Sequence, residues 1–251
     1  GRPLAEATGP VDLQFELANA TGNQQTGVSA RWVYRIVDLF DASTWMFQVN
    51  AQNLGTKRAT QAFDANPAES WSMSATNDVR SSAFVGPDTV YVGTDDGDVR
   101  ALATSDGTEQ WSFNTGGQVR SSPVVHNGAL YVGSDDGNVY ALNPADGSER
   151  WRYSTGGQVR SSPAVANGTL YVGSDDNTVY ALDVADGSES WSVTTSGQVR
   201  SSPAVANGTL YVGSSDNTVY ALASDDGATE WTYTMPASVT APPTVASGQV
   251  V

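Results

Sequence analysis

The sequence predicts an all-β protein built from a repeated unit. Tryptophan recurs every 40 residues through most of the 251-residue chain, and the residues between these marks are almost the same each time. A fixed period of this size indicates one supersecondary motif that buries its apolar faces by stacking on its neighbours. The tryptophans in question are Trp71, Trp111, Trp151, Trp191 and Trp231.

The unit from Trp151 to Ser190 shows why each repeat is expected to form four strands. Between its β-prone runs stand Gly-Gly, Asn-Gly, Asp-Asp-Asn and Asp-Gly. The Asn-Gly and Asp-Gly pairs supply the positive φ angles of tight hairpin turns. No stretch between these breaks has helical length and spacing, so four antiparallel strands are predicted. The four runs cover residues 151–154, 159–165, 169–174 and 178–183.

The hydrophobic pattern places each run within the predicted sheet. The runs 170–173 and 179–182 are apolar at successive positions, so both faces of the sheet need cover. The run that begins at Trp191 alternates, as expected for an outer strand partly in water. The run with Pro163 fits the innermost edge, because proline offers no donor to a sheet. Stacked sheets of this kind predict a β-propeller; a solenoid of hairpins is the competing architecture.

One long pattern fits the chain four times: V-x-S-S-P-A-V-x-N-G-x-L-Y-V-G-S-x-D-x-x-V-Y-A-L-x-x-x-D-G-x-x-x-W. It resembles the repeat of the pyrroloquinoline-quinone (PQQ)-like β-propellers. This family includes quinoprotein alcohol dehydrogenases and the non-catalytic BamB-like repeat proteins. The resemblance covers Trp71 to about Val251, and residues 181–191 (ALDVADGSESW) match the tryptophan-docking segment of the family. It implies that each tryptophan docks between neighbouring blades.

The ends of the chain depart from the repeat. Residues 1–70 form a non-repeated region, in which 31–70 are consistent with a degenerate blade and 11–17 with a closing strand. Residues 71–251 form the propeller repeats, with four full units over 71–230 and an incomplete one over 231–251. The ring is expected to be closed or partial, with about five to six blades. A small propeller, a fragment of a longer chain and a ring closed by a second copy all remain open.

The composition excludes several classes of partner. The 27 acidic residues outnumber the 12 basic ones, of which only Lys57 is lysine, and the net charge is −15. Such a surface argues against broad binding to nucleic acid or anionic membrane. It indicates a halophilic, haloarchaeal source, because salt screens the self-repulsion. The chain has no cysteine, so disulfides and thiolate metal sites are excluded. No apolar run has transmembrane length, and no signal peptide is visible in residues 1–30.

Catalytic and metal-binding residues are not expected. His126 is the only histidine, and it replaces alanine in an Asn-Gly hairpin turn. The acidic turns at 95–98, 135–138 and 175–177 could hold Ca²⁺ weakly, but Asp-Gly is ordinary turn chemistry and no distal ligand follows. In the quinoproteins that the repeat resembles, the cofactor lies over Ca²⁺ near a vicinal disulfide. Since cysteine and an inserted acidic cluster are absent from this sequence, no cofactor is expected.

Four arginines are the candidate binding residues. They stand at the same phase of the repeat, just before the Ser-Ser pair that leads into the innermost strand. In a ring they would form a collar at one mouth of the channel, able to bind an anion or an acidic peptide. The alternative is that each pairs with the acidic turn of a neighbouring blade. The residues are Arg80, Arg120, Arg160 and Arg200.

The sequence thus predicts a non-catalytic scaffold for a protein or peptide partner, located outside the cytoplasm or at the cell surface. The alternative is a ligand-binding or sensory propeller that holds a small anion or a saccharide in its funnel. A quinoprotein dehydrogenase ranks third. The incomplete blade also predicts a homo-oligomer as one way to close the ring, because an open propeller leaves an apolar blade face in water.

Overall fold

A computed structural model describes residues 46–48, 54–56, 71–72, 75, 77–246 and 249–250. All of them belong to one unit that spans residues 43–251. The strand predicted at 11–17 lies outside the described residues. Of the degenerate blade predicted over 31–70, only a short hairpin is described, in which β1 (Met46–Gln48) pairs with β2 (Leu54–Thr56).

Four antiparallel sheets of four strands each dominate the described residues, and the strand order in every sheet follows the chain. This confirms the all-β prediction and the four-stranded blade. The first sheet contains β3 (Phe84–Val85), β4 (Thr89–Gly93), β5 (Asp98–Ala103) and β6 (Glu109–Asn114). The second contains β7 (Val124–His126), β8 (Ala129–Gly133), β9 (Asn138–Leu142) and β10 (Glu149–Ser154). The third contains β11 (Ala164–Ala166), β12 (Thr169–Gly173), β13 (Thr178–Asp183) and β14 (Glu189–Thr194). The fourth contains β15 (Ala204–Ala206), β16 (Thr209–Gly213), β17 (Thr218–Ala223) and β18 (Thr229–Thr234).

The sheets are out of phase with the repeat counted from tryptophan. Each repeat gives its first strand to one sheet and its other strands to the next, so Trp111 lies on the outermost strand of the first sheet. Trp231 therefore completes the fourth sheet, which corrects the prediction that it begins an unfinished blade. The next strands are β19 (Val245–Ala246) and β20 (Gln249–Val250), which form a two-stranded pair.

Local chemistry explains the strand lengths and turns. The innermost strands pair over three residues or fewer. In three of the four sheets a proline, such as Pro163, stands just before this strand and offers no donor to the ladder. Asn127, Asn167 and Asn207 adopt positive φ at the following turn, as expected for Asn-Gly hairpins. The outermost strands each contain a bulge immediately before the tryptophan, where for example Ala181 pairs with Trp191 but Leu182 pairs with Glu189.

The core lies between successive sheets. We call the face directed toward the next sheet along the chain the trailing face, and the opposite one the leading face. The trailing face of the second sheet, with Tyr131, Val139 and Trp151, packs on the leading face of the third, with Leu170 and Leu182. The contact is close, because a Cβ atom added to Gly133 would lie 2.4 Å from Val159. The four described sheets are thus successive propeller blades, and they do not close a ring.

Candidate functional site

The indole of each interior tryptophan joins two neighbouring sheets. Its Nε1 donates a hydrogen bond to a loop carbonyl 33 residues later, and the ring covers a glycine 36 residues later. For Trp151 the acceptor is the Val184 oxygen at 3.1 Å, and a Cβ on Gly187 would come within 2.6 Å of the ring. That glycine has a φ of 74°, which disfavours a side chain for a second reason. The same geometry holds for Trp71 with Thr104, Trp111 with Pro144 and Trp191 with Ser224.

A tyrosine from the same sheet shares that carbonyl acceptor, which the sequence analysis did not predict. Tyr131 packs against Trp151 with ring centroids 5.7 Å apart, and its hydroxyl donates to the Val184 oxygen at 3.1 Å. Tyr91 and Tyr171 repeat this contact at the flanking sheets. The recurrence of tyrosine every 40 residues at this position was the available signal. The carbonyls of Pro144, Val184 and Ser224 are therefore each held by two donors from the preceding sheet.

The four predicted arginines form one row with three aspartates from the acidic turns. Arg160 shows the pattern, since its Nε and Nη2 contact both oxygens of Asp135 at 3.0 and 3.1 Å. Its Nη1 lies 3.8 Å from Asp175. The aspartate side chains are only 6–8% exposed, whereas the arginines are 22–53% exposed. In order, the arginine–aspartate row runs Arg80, Asp95, Arg120, Asp135, Arg160, Asp175, Arg200.

The row changes at both ends. Arg80 is 53% exposed and also pairs with Asp78 at 3.0 Å. Arg200 binds Asp175 through Nε and Nη2, each at 2.9 Å. The position that would supply its second aspartate is Ser215, and the next arginine position is Thr240. The pKa of Arg200 is raised, chiefly by its hydrogen bond to Asp175.

The aspartates of the acidic turns have partners of two kinds, arginine and tyrosine. The first aspartate of the turn pairs with arginine, as Asp135 does. The second binds a tyrosine hydroxyl in three sheets, as Asp176 does with Tyr180 at 2.8 Å. No group of three or more histidine, cysteine, aspartate or glutamate side chains suited to a metal ion occurs among the described residues.

The tyrosines beside these turns titrate far above their usual range. Burial and the hydrogen bond to Asp176 raise the pKa of Tyr180 to about 12. The same two causes, with Asp216 as the acceptor, raise the pKa of Tyr220 to about 12. Burial and Asp136 raise the pKa of Tyr140 as well. In the first sheet Arg100 takes the tyrosine position and pairs with Asp96 and Asp98 at 2.9 Å.

A cavity of about 370 Å³ lies along the innermost strands. Valine, alanine, proline and Phe84 supply most of its wall, and of the described residues that line it only His126 is titratable. The strands β7, β11 and β15 each pair on one side only, so their other backbone edge has no strand partner in the sheet. None of the four row arginines lines this cavity. The position of the arginines at one mouth of the channel stays a prediction.

Serine side chains tie the sheets together beside these strands. The Ser122 amide donates to Ser162 Oγ, and the Ser162 amide donates to Ser202 Oγ, each at 2.9 Å. The equivalent position after Ser202 is Pro242. This serine row therefore stops at the same place as the arginine–aspartate row.

Repeated four-stranded sheets, docking tryptophans and a cavity along the innermost strands define a PQQ-like β-propeller. The family model described as outer membrane protein assembly factor BamB matches residues 55–161, 95–199 and 135–251. Since these matches cover most of the chain, the protein belongs to this family. No curated protein matches the chain.

Solved structures share the fold at low sequence identity. BamB from Moraxella catarrhalis is 20% identical with a TM-score of 0.64, and the match covers 72% of this chain and 57% of that one. Quinohemoprotein alcohol dehydrogenase from Comamonas testosteroni is 20% identical with a TM-score of 0.63, covering 81% and 42%. The computationally designed Ika8 protein is 17% identical with a TM-score of 0.61, covering 67% and 53%. The chain thus spans about half the length of these structures.

The described residues contain no helix long and apolar enough to cross a membrane.

Proposed function

We propose that this protein is a non-catalytic interaction scaffold that binds an extended peptide segment of a protein partner in its channel. The observation that carries the proposal is the cavity of about 370 Å³, with its uncharged wall and the one-sided pairing of β7, β11 and β15. Unpaired strand edges can pair with an added peptide, and small apolar side chains give that peptide its pockets.

The family supports a location outside the cytoplasm or at the cell surface, because it is described as an outer membrane protein assembly factor. The excess of 27 acidic over 12 basic residues supports a halophilic, haloarchaeal source. In such a source the role at an outer membrane would not transfer, whereas a rigid scaffold for a protein partner would.

Quinoprotein catalysis is poorly matched by the residues present. The cofactor of those enzymes needs oxygen ligands for a metal ion, and the described residues offer no such group. The described channel wall also contains no carboxylate that could act as a base. A similar fold alone does not imply that this protein shares the activity of a structural neighbour.

A peptide selection tests the channel. Peptides selected from a random displayed library should be uncharged and rich in small apolar residues. A variant with Ala164→Asp and Ala204→Asp places two carboxylates in the cavity wall and should weaken binding of the selected peptides at least tenfold. Ser190→Asp, on the exposed outermost strand, is the matched control and should bind as the wild type does. Equal binding by the channel variant would remove the proposal.

The second candidate function is the binding of a small anion. The specific observation that favours it is Arg200, which pairs with one aspartate among the described residues, whereas the other three arginines each pair with two. If the arginines bind an anion, a variant with Arg120→Ala and Arg160→Ala should lose binding of polyphosphate. Ser215→Asp should weaken the same binding while all four arginines are kept. Unchanged titrations with both variants would eliminate this candidate.

A further inference from the structure

His126 brings a hydrogen-bonding group to the wall of the cavity of about 370 Å³ along the innermost strands. It is the last residue of β7, is half-buried, and lies opposite Ala129 of β8. Apart from Thr244, which is exposed, every other described residue that lines the cavity has a hydrocarbon side chain. A ligand in this cavity therefore meets apolar side chains almost everywhere and an imidazole at one place.

The three strands that form most of this wall are nearly the same apart from that imidazole. Both β11 and β15 read Ala-Val-Ala, whereas β7 reads Val-Val-His. Each of the three has one backbone edge without a strand partner in its sheet, as far as the described residues go. A purely apolar peptide would find similar edges and similar pockets beside all three strands. Since apolar contact is non-directional, only a polar contact distinguishes one strand from the next.

The hairpin that carries His126 also differs from its sister hairpins in how it is held. In the fourth sheet the hydroxyl of Thr209 donates to the Glu230 carboxylate at 3.1 Å. The equivalent positions in the second sheet are Ala129 and Arg150. Here Arg150 Nη2 donates instead to the carbonyl of Gly128 at 2.5 Å. The outermost strand thus holds the turn that directly follows His126, and the small side chain of Ala129 leaves room for the imidazole.

His126 lies at the opposite end of the second sheet from the arginine–aspartate row. It precedes β8, whereas Asp135, which pairs with Arg120 and Arg160, belongs to the turn after β8. The five residues of β8, at about 3.3 Å each, separate the two ends by about 16 Å. A contact between a ligand and His126 is therefore distinct from anion binding by the arginines.

We propose that His126 fixes the position and the direction of the bound peptide by hydrogen-bonding one polar side chain near one end of it. This inference rests on the peptide binding proposed above and specifies the ligand as an extended apolar segment with a single hydroxyl or amide side chain. A neutral imidazole has one N–H donor and one acceptor nitrogen, so it bonds either group. The net charge of −15 disfavours a carboxylate in this role. Beside β11 or β15 the same polar side chain meets alanine, and leaving it without a partner there is costly.

Peptide selections from a random displayed library against the wild type and against His126→Ala test this role. The substitution installs the residue that β11 and β15 carry at this position, so the fold should be retained. Peptides selected on the wild type should share one hydroxyl or amide residue near one end, and those selected on the variant should not. Replacing that residue by alanine should weaken binding to the wild type about three- to tenfold and should leave binding to His126→Ala unchanged.

Moving the histidine by one sheet gives a second measurement. A variant with His126→Ala, Ala166→His and Thr169→Ala places the imidazole at the end of β11, opposite an alanine as in β7. Peptides selected on the wild type should bind this variant about three- to tenfold more tightly than they bind His126→Ala. A folded variant that binds them as weakly as His126→Ala does would contradict direct binding by the histidine.

The outcomes separate this inference from the peptide binding on which it rests. Peptides that bind the wild type and His126→Ala alike, or that share no polar residue, overturn the role of His126 and leave channel binding intact. A selection in which no peptide binds the wild type overturns both.

Discussion

The junction between the second and third sheets and the trailing face of the fourth sheet use the same repeat positions with opposite results. Trp151 is 8% exposed because Gly187 and the Val184 carbonyl lie against it. Trp231 packs against Tyr211 with ring centroids 5.8 Å apart, just as Trp151 packs against Tyr131 at 5.7 Å, yet Trp231 is 41% exposed. The tryptophan–tyrosine pair therefore supplies only half of a junction. The glycine and carbonyl of the next sheet supply the other half.

The largest expected effect comes from the glycine at an interior junction. Gly147→Ala puts a Cβ 2.5 Å from the Trp111 ring at a φ of 72°. Gly128→Ala is the matched control, because its φ is 73° and nothing lies within 4 Å. The control should cost about 1–2 kcal/mol for the left-handed backbone alone, and Gly147→Ala more than about 3 kcal/mol. Chemical denaturation measures the free energy of unfolding of both variants. Equal losses would mean that the contact between position 147 and the Trp111 ring does not limit the side chain.

The next comparison removes the indole from a covered sheet face and from the exposed one. Trp151→Ala leaves a cavity in the core and takes one of two donors from the Val184 carbonyl, and it should cost about 3–5 kcal/mol. Trp231→Ala removes a side chain that packs mainly on Tyr211 and should cost about 1–2 kcal/mol. Melting temperatures of the two variants test this order. A loss at Trp231 as large as that at Trp151 would show that the fourth sheet is covered in solution.

Removing one charge from the arginine–aspartate row should destabilise the fold. Asp135→Asn keeps the shape of the side chain but removes the charge shared by Arg120 and Arg160. We expect a cost of about 1–3 kcal/mol, below that of a fully buried pair because the arginines are partly exposed. Asp225→Asn, at an exposed turn position, should stay within about 0.5 kcal/mol. Unfolding curves that coincide for the two variants would mean that the row does not stabilise the fold.

Alkaline pH should loosen the interior junctions. The pKa of Tyr180 is about 12 in the folded protein against 10.0 for the free side chain. A raised pKa means that the protonated form is favoured by folding, so this stability is complete below pH 10 and is lost as the pH rises toward 12. The melting temperature should fall across that range, and less steeply in Tyr180→Phe. Parallel profiles for wild type and variant would contradict this origin of the loss.

The smallest effect is expected from a substitution that extends the arginine–aspartate row toward the fourth sheet. Ser215→Asp restores the aspartate found at 95, 135 and 175 and offers Arg200 a second carboxylate. The gain should be about 0.5 kcal/mol, since Arg200 is 37% exposed. Ser215→Asn is the uncharged control and should give no gain. A gain of the same size with asparagine would assign the effect to the turn rather than to the charge.

The repeat made most of the fold predictable. Four strands per unit, the outer position of tryptophan and the inner position of the proline run follow from turn residues and hydrophobic pattern. The assignment of Trp231 to a new blade failed because a period fixes spacing and leaves the starting point open. Only strand pairing shows that β18 completes the sheet that begins at Ala204.

The candidate site was predictable in its parts but not in its contacts. The sequence gives arginine at position 160 and aspartate at position 135, and both recur every 40 residues. Their pairing across a blade boundary was only the alternative to an anion-binding collar, because 25 residues and that boundary separate them. The role of Tyr131 was missed for the same reason, since its acceptor, the Val184 carbonyl, belongs to the next sheet.

The offset between repeat and sheet has a consequence for how such a chain can change in length. Each 40-residue repeat, counted from tryptophan, begins in one sheet and ends in the next. A duplication or deletion between two of the tryptophans therefore rejoins the chain inside a sheet. Every remaining junction then keeps its tryptophan, glycine and carbonyl. The number of sheets can therefore grow or shrink one at a time without a new linker.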